Sequence, residues 1–437
     1  MIPFKSTVQG LAEALVEGTW RLEDMVDRGG RVLGRRPRWL RPLGRRLLET
    51  FSDARPSAER VADFLKVDAK FVAKYPFAMS FKPRPAPTMA PGLGPPSTWP
   101  VPAIVTPLDL ATRLGLELPE LDWFADLRGL ERATRGGPLR HYAYRWKPKR
   151  NGSTRLIEAP KDRLKTIQRQ ILRDVLTPIP PHDAAHGFRP GRSVRTFVEP
   201  HAGRAVVLKM DLLDFFPTIV LARVVALFRT AGYPEGVAKA LAGLCTNRVP
   251  LEIWRRPDAP VSGPDAWRTR QLYRKAHLPQ GAPTSPSLAN LCAYRLDCRL
   301  AGLAASAGAT YTRYADDLAF SGDLAFARSI ARFHVHACAI ALEENFAINT
   351  RKTRVMRQGV RQGLAGAVLN VRPNVARDDF DALKATLHNC VKHGPEGQNR
   401  SAHPDFRAHL LGRIAQVGTL NPDRAVKLKG IFNRVNW

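Results

Sequence analysis

Apolar residues recur along this chain with two different periods, and the changes of period divide it. Before residue 80 the spacing is helical: Val16, Trp20, Leu22 and Val26 open one stripe, and Val61, Phe64, Leu65 and Phe71 carry another. Residues 82–107 interrupt it with nine prolines among Gly and Ser, which reads as an extended linker or a meandering surface strap. After 108, Leu110, Leu114 and Leu116 lead to Leu121, Trp123, Phe124 and Leu127 and predict short helices. Residues 141–146 and 154–157 read as a hairpin, with 148–152 as its turn. Leu164, Ile167, Ile171, Leu172 and Val175 restore the helical stripe until Pro178, Pro180 and Pro181 close it.

Val206-Val-Leu-Lys-Met210 is the run of a buried strand, and it ends in Asp211. Pro217 stands where a helix starts, with Ile219, Val220, Val224, Val225 and Phe228 as its stripe. Pro286 opens another, with Leu288, Leu291, Leu296, Leu300 and Leu303 inward. Two short apolar runs then flank Asp316 and Asp317 as a hairpin, a helix follows near 324–343, and a strand near 353–357. Strand, helix, hairpin, helix, strand predicts an α+β arrangement, an antiparallel sheet backed by helices. From 375 onward the chain reads as helical and basic.

Charge narrows the class of partner. The 437 residues carry 68 Lys and Arg against 39 Asp and Glu, a formal charge of +29, while 44% hydrophobic residues fit a folded protein of two or three domains. Such a field draws polyanions and makes their binding salt-dependent, so a nucleic acid is the expected partner. The five Cys are scattered, which supports neither a disulfide framework nor a zinc site. No apolar run approaches the ~18 residues of a membrane span, and the start lacks a signal peptide's pattern. The expectation is a cytoplasmic protein with no membrane partner.

The carboxylates supply the chemistry. Asp211 ends one strand, and Asp316 and Asp317 sit in the tight turn of the hairpin about a hundred residues later. A lone Asp-Asp pair often makes a turn or a cap. Three strand-end acids together suit two divalent ions, which offset the cost of burying the charges and supply Lewis acidity for phosphoryl transfer. Asp214 fits a turn or cap as well as it fits the site, and it stays outside the set.

With these residues in view, the run from about 141 to 372 resembles the fingers and palm of a reverse transcriptase, specifically the bacterial retron type. Tyr314-Ala-Asp-Asp317 matches the catalytic turn, and Asp211-Leu-Leu-Asp-Phe-Phe-Pro217 the motif holding the first metal ligand. Gln280-Gly-Ala-Pro-Thr-Ser-Pro286 matches the motif that packs against nucleotide and template. The resemblance implies a right-hand polymerase fold. An N-terminal extension and linker would occupy 1–107, fingers 108–205, palm with interleaved fingers elements 206–374, and a helical thumb 375–437.

It also implies site roles. Asp211, Asp316 and Asp317 would hold two Mg²⁺ ions, with Mn²⁺ as a substitute. Phe216 would stack under the incoming sugar and exclude a ribose 2′-OH, although a core ring beside Phe215 is the plainer reading. Arg155 would grip the triphosphate, a task suited to its fork of donors, while Lys147 and Lys149 read as solvated turn charges. Gln280 would orient the nucleotide, and Gly281 would allow close backbone approach. Lys352 matches the family's lysine near the leaving pyrophosphate, as general acid or as charge alone. His186-Gly-Phe188 and Gly191-Arg-Ser193 resemble the loop that supports the template, with His186 structural rather than catalytic.

The implied partners are a structured noncoding RNA as template and primer, an RNA–DNA duplex, dNTPs, and an effector or toxin protein in an antiphage system. Two departures from the retron pattern stand out. Before His201 the chain has Phe197-Val-Glu-Pro in place of an Asn-Ala pair, and Leu364-Ala-Gly366 replaces Val-Thr-Gly. A related bacterial defence enzyme with another template, or with template-independent synthesis, is therefore the alternative. A non-catalytic RNA-binding scaffold is the third reading.

Overall fold

The computed structural model describes residues 4–17, 19–52, 56–73, 89, 99–131, 140–148, 154–256, 259 and 264–437. The expected turn after Pro148, including Lys149, and most of the Pro-rich stretch at 82–107 lie outside them. The chain forms two compact units: Met1–His141 with Asp162–Gln170 and Val225–Cys245, and Tyr142–Lys161 with Ile171–Val224 and Thr246–Trp437.

In the first unit, helices Phe4–Val16, Leu22–Val32, Leu40–Thr50 and Ala58–Val67 gather around Leu11, Leu15, Met25, Leu40, Leu47 and Leu65. The stripe expected to run from Val16 to Val26 is split between two helices. Arg28 shows why the break is stable: its guanidinium donates to the carbonyls of Ala14 and Leu15, both at 2.9 Å, and of Thr19 at 2.8 Å. The Ala14 and Leu15 carbonyls are ones that a helix end leaves without internal donors, and Thr19 belongs to the connection between the two helices. Further on, Thr106 and Asp109 form a capping box with Pro107 at the first turn of Pro107–Leu114, and Gly115 ends that helix at φ 65°. Helix Glu235–Cys245 packs closely on Leu118–Ala125, where a Cβ on Gly243 would stand 2.3 Å from the Ala125 carbonyl oxygen.

The second unit holds the strands. β1 (Tyr142–Pro148) pairs with β2 (Thr154–Pro160) as the expected hairpin. β3 (Val206–Leu213) is the centre of a five-stranded antiparallel sheet. On one side it pairs with β5 (Asp317–Gly322), which pairs with β4 (Thr310–Tyr314). On the other it pairs with β6 (Ala347–Ile348) at its end and β7 (Arg354–Arg357) at its start. Helices Tyr294–Ser306 and Leu324–Glu343 back the sheet, with Phe320 meeting Phe333 at 5.0 Å. This is the α+β arrangement that the alternation of periods predicts.

Two expected helices are shorter than their stripes. After Pro217 the chain makes only the turn Phe215–Thr218, and the long helix waits until Leu221–Thr230. The cause is pairing: Leu278 N donates to Ile219 O at 3.0 Å and Leu221 N to Ala276 O at 2.9 Å, holding 219–221 extended. The helix opened by Pro286 is likewise two, Ser285–Cys292 and Tyr294–Ser306. Beyond 374, helices Arg377–His393, Phe406–Leu420 and Pro422–Phe432 pack around their own core of Leu383, Leu387, Leu410, Ile414 and Leu428. Among the described residues no helix is long and apolar enough to cross a membrane.

Candidate active site

The three acids meet at one end of the central sheet. Asp211 and Asp317 are direct cross-strand partners of β3 and β5, so their side chains share a face. Asp316 occupies the two-residue turn between Tyr314 and Asp317, and its carbonyl accepts from Leu212 N at 2.8 Å. β3 does not stop at Asp211, as its sequence suggests, but runs on to Leu213. Pairing with β6 extends it, and Asn349 N donates to Asp211 O at 2.7 Å.

This crowding raises the Asp316 carboxyl above the usual range, first by burial and then by the charges of Asp211 and Asp317. Two lysines answer the negative charge. Lys352 Nζ donates to both oxygens of Asp211, at 2.9 and 3.1 Å. Burial alone would lower the Lys352 ammonium, but its hydrogen bonds to Asp211 and the acidic charges around it outweigh that and raise it. Lys209 Nζ lies 3.1 Å from Asp317 Oδ1. That oxygen is buried and accepts no hydrogen bond from a described residue, so its compensation is the charge of Lys209. Among the described residues no three His, Cys, Asp or Glu side chains converge as a ready-made metal cage.

Behind the turn lies a second network. Ala315 takes φ 55°, a left-handed conformation that costs any residue with a Cβ. Arg313, wholly buried, donates to its carbonyl at 3.1 Å and to Asn290 Oδ1 at 2.9 Å. The same guanidinium grips buried Asp297 with bonds of 2.7 and 2.6 Å, and Tyr311 OH donates to Asp297 Oδ1 at 2.7 Å. Asn290 Nδ2 donates onward to Gly187 O at 2.8 Å. A Cβ on Gly187 would stand 2.7 Å from Ala315 N, so the loop around His186 lies directly against the turn. Composition reasoning passes over Arg313 and Asp297. The available signal is a charged residue inside an apolar strand with an acid on the preceding helix.

Of the adjacent rings, Phe215 takes the core position, 5.7 Å from Phe346 and under the Arg313 guanidinium, while Phe216 is only half-buried. Phe188 stands 6.3 Å from Phe216 and 6.4 Å from Tyr314. The turn Phe215–Thr218 packs on helix Ser285–Cys292, which follows the Gln280 segment. Gln280 Oε1 is buried and unpartnered among the described residues. Gly281 does permit a close approach, but by the chain itself: at φ 134°, a Cβ there would stand 2.8 Å from the Glu158 carbonyl oxygen. Glu158 N also donates to Gln280 O at 2.8 Å. Arg155 lies three residues earlier on β2, exposed, opposite Lys147 and without a salt bridge among the described residues.

The histidines near the site are structural. Burial, with Arg192 and Arg189, pushes His186 down to about 4, and its Nδ1 pairs with Thr196 Oγ1 at 2.9 Å. His201 is fully buried between Ser321 Oγ at 2.6 Å and Thr312 Oγ1 at 2.7 Å. Burial, then Arg204 and His186, pushes it to about 3. His277 is held by buried Glu158 at 3.0 Å, and Asn247 Nδ2 donates to the same carboxylate at 2.6 Å. The two departures from the retron pattern are neighbours, since Phe197 and Val198 share one buried cluster with Leu364 and Leu369.

Comparison with known proteins gives a family match to "Reverse transcriptase (RNA-dependent DNA polymerase)" over residues 147–381, more than half of the chain. The Mx65 retron reverse transcriptase of Myxococcus xanthus is 42% identical over 322 residues, covering 73% of this chain and 69% of that protein. The Mx162 retron reverse transcriptase of the same organism is 39% identical, covering 72% of this chain and 63% of that protein. A solved telomerase from Candida albicans overlaps 66% of this chain and 54% of its own at a TM-score of 0.35 and 11% identity, too distant to bear on the site.

Proposed function

The chain belongs to the reverse transcriptase family, in its bacterial retron branch, and from that premise we propose that it adds dNTPs to a primer 3′ end at Asp211, Asp316 and Asp317 by two-metal phosphoryl transfer. One observation carries the reading: Asp211 and Asp317 oppose each other across adjacent strands beside Asp316, in a charge field that two ammonium groups only partly neutralise. An all-oxygen donor set of this kind suits Mg²⁺ or Mn²⁺. Such ions, when bound, lower the pKa of the attacking hydroxyl and offset the charge of the leaving pyrophosphate. The chain's own residues do the rest. Lys352 is free to turn from Asp211 toward the departing phosphates, as a charge or a proton donor. Arg155 offers its donors to the triphosphate, and Gln280 has an unspent amide oxygen for orientation. Phe216 presents a ring where a 2′-OH would sit. Fingers at 108–205, palm at 206–374 and thumb at 375–437 divide the work, with 1–107 as an added basic unit.

On this reading the template and primer are a structured noncoding RNA, the product an RNA–DNA duplex, and the setting a cytoplasmic antiphage system with an effector or toxin protein. The direct test is primer extension with the full chain in Mg²⁺. Asp316→Ala with Asp317→Ala should abolish incorporation, as should chelation of the metal. Undiminished synthesis by that variant would sink the assignment. The two sequence departures, at 197–200 and 364–366, meet in one buried cluster and favour keeping a second reading, a defence enzyme with another template or with none. Sequencing the nucleic acid that co-purifies separates them: a discrete branched RNA–DNA species supports the first, random or homopolymeric DNA the second.

A further inference from the structure

Residues 247–277 form a closed excursion from the second unit. Asn247 N donates to His277 O and His277 N to Asn247 O, both at 2.9 Å, so the ends are tied together. An edge-to-face ladder fastens the excursion to the β1–β2 hairpin: Trp146 meets Trp254 at 5.0 Å, Trp254 meets Tyr273 at 5.8 Å, and Tyr273 meets His277 at 4.7 Å. Trp146 Nε1 also donates to Ile253 O at 3.4 Å. Helix Pro264–Tyr273 packs on the turn that carries Phe216, and Arg268 reaches Asp214 at 3.7 Å.

The outward side of this well-fastened helix is unexplained by packing. Trp267 is 66% exposed, which leaves a large apolar ring in contact with water. Arg270 follows it at three residues on the same helical face, Arg274 follows one residue past the helix end with its N donating to Arg270 O at 3.1 Å, and both are exposed. Arg270 also lies over the Trp254 ring at 5.8 Å, which fixes its position. Exposed Arg255 and Lys275 adjoin the same excursion, where residues 246–279 hold seven Lys and Arg against three Asp and Glu. An exposed indole beside two exposed guanidinium groups, one of them held over the Trp254 ring, suits flat bases strung on phosphates. A protein surface would demand carboxylates in return and a broader apolar patch.

We propose that Trp267, Arg270 and Arg274 form a stacking platform for a single-stranded segment of template RNA. The proposal rests on the polymerase reading for the identity of the strand, and on the geometry alone for the platform. Trp267 stacks on a base irrespective of its identity, and the two arginines contact consecutive phosphates.

Fluorescence anisotropy of a labelled 20-nucleotide adenylate RNA on the full-length protein tests it. Trp267→Ala should weaken binding about tenfold, and Trp267→Phe should restore most of it, because a ring suffices for stacking. Arg270→Gln with Arg274→Gln should flatten the plot of log affinity against log salt by about 1.4, the loss of two phosphate contacts on a single strand. The side chain is solvent-facing, so melting of the Trp267 variant should match the wild type. Unchanged RNA affinity in Trp267→Ala overturns the platform, as does a Phe variant no better than Ala. Loss of a co-purifying protein without loss of RNA also overturns it. Asp316→Ala with Asp317→Ala serves as the separate control. If wild type binds RNA through Trp267 yet never incorporates dNTPs, the polymerase reading fails and the platform stands. If synthesis is normal but Trp267→Ala binds RNA as wild type does, only the platform fails.

Discussion

The hairpin that carries Asp316 and Asp317 is charged on both sides, and the two sides treat charge in opposite ways. At the front, Lys352 is half-exposed against Asp211, and Lys209 sits beside an Asp317 oxygen that accepts no hydrogen bond from a described residue. At the back, Arg313 and Asp297 are wholly buried and joined by two short bonds, with Tyr311 and Asn290 completing the set. The front ammonium groups can leave at small cost and be replaced by another cation. The back pair cannot exchange at all, because separating it would strand a charge in the interior. On the two-metal reading proposed above, a turn that holds a left-handed alanine steady while its carboxylates change partners needs both arrangements.

Breaking the back should therefore have the largest effect. Arg313→Ala leaves Asp297 buried and unpaired, and is expected to cost about 3–5 kcal/mol in urea unfolding. Stability loss alone would not establish a role in the turn. Arg313→Met with Asp297→Leu and Tyr311→Phe removes every charge and the stranded hydroxyl, and should recover most of the stability. Ala315 O remains unheld in that variant, so incorporation should stay depressed. Full recovery of activity would show that the turn needs no arginine behind it.

The front should behave differently. Lys352→Ala should leave melting nearly unchanged while lowering kcat for dNTP addition about a hundredfold, within the usual range for general acid work. KM for dNTP should move little if the lysine acts on the leaving group, as proposed above. A change in KM with kcat preserved would make Lys352 a binding residue. A drop in stability comparable to the Arg313 variant would erase the contrast between the two sides.

A third measurement probes the sheet face that carries Asp317, where His201 bridges Thr312 of β4 and Ser321 of β5. Its folded pKa of about 3 lies below the ordinary 6.5, so below pH 6.5 the unfolded chain takes up a proton that the folded chain refuses. Stability should fall as pH drops through that window toward 3, by about 2 kcal/mol at pH 5 from this residue alone. Buried His186, at about 4, adds in the same direction. His201→Gln should flatten the slope between pH 7 and pH 5, and an unaltered slope would assign the acid sensitivity elsewhere.

Legibility followed the same division. The front was readable because its residues are adjacent in sequence or end a recognisable strand: Asp316 with Asp317, and Asp211 after Val206–Met210. The long helix Leu324–Glu343 and the β1–β2 hairpin were readable from period alone. The back was not, because Arg313, Asp297, Asn290 and Gly187 lie on four separate segments and meet only by tertiary packing. The helix expected at Pro217 failed for a similar reason, since nothing local announces that 219–221 will pair with 276–278. Lys209, hidden in an apolar strand, became meaningful only when register set it beside Asp317.

The smallest expected effect tests the adjacent rings. Phe215 faces inward against Phe346 and Arg313, whereas Phe216 is half-buried, so one side chain belongs to the rigid back and the next to the exchangeable front. Phe216→Ala should leave urea unfolding close to wild type but raise ribonucleotide use about tenfold relative to dNTPs, an effect of ~1.4 kcal/mol on the difference between two transition states. Phe215→Ala should do the reverse, losing stability through the cavity it leaves while its discrimination, measured on the surviving folded enzyme, holds. Competition between rNTP and dNTP in single-nucleotide extension reads both variants. Equal discrimination by wild type and Phe216→Ala would remove the ring from the sugar site, because a side chain that touches the 2′ position cannot be shortened by six ring carbons without admitting the hydroxyl.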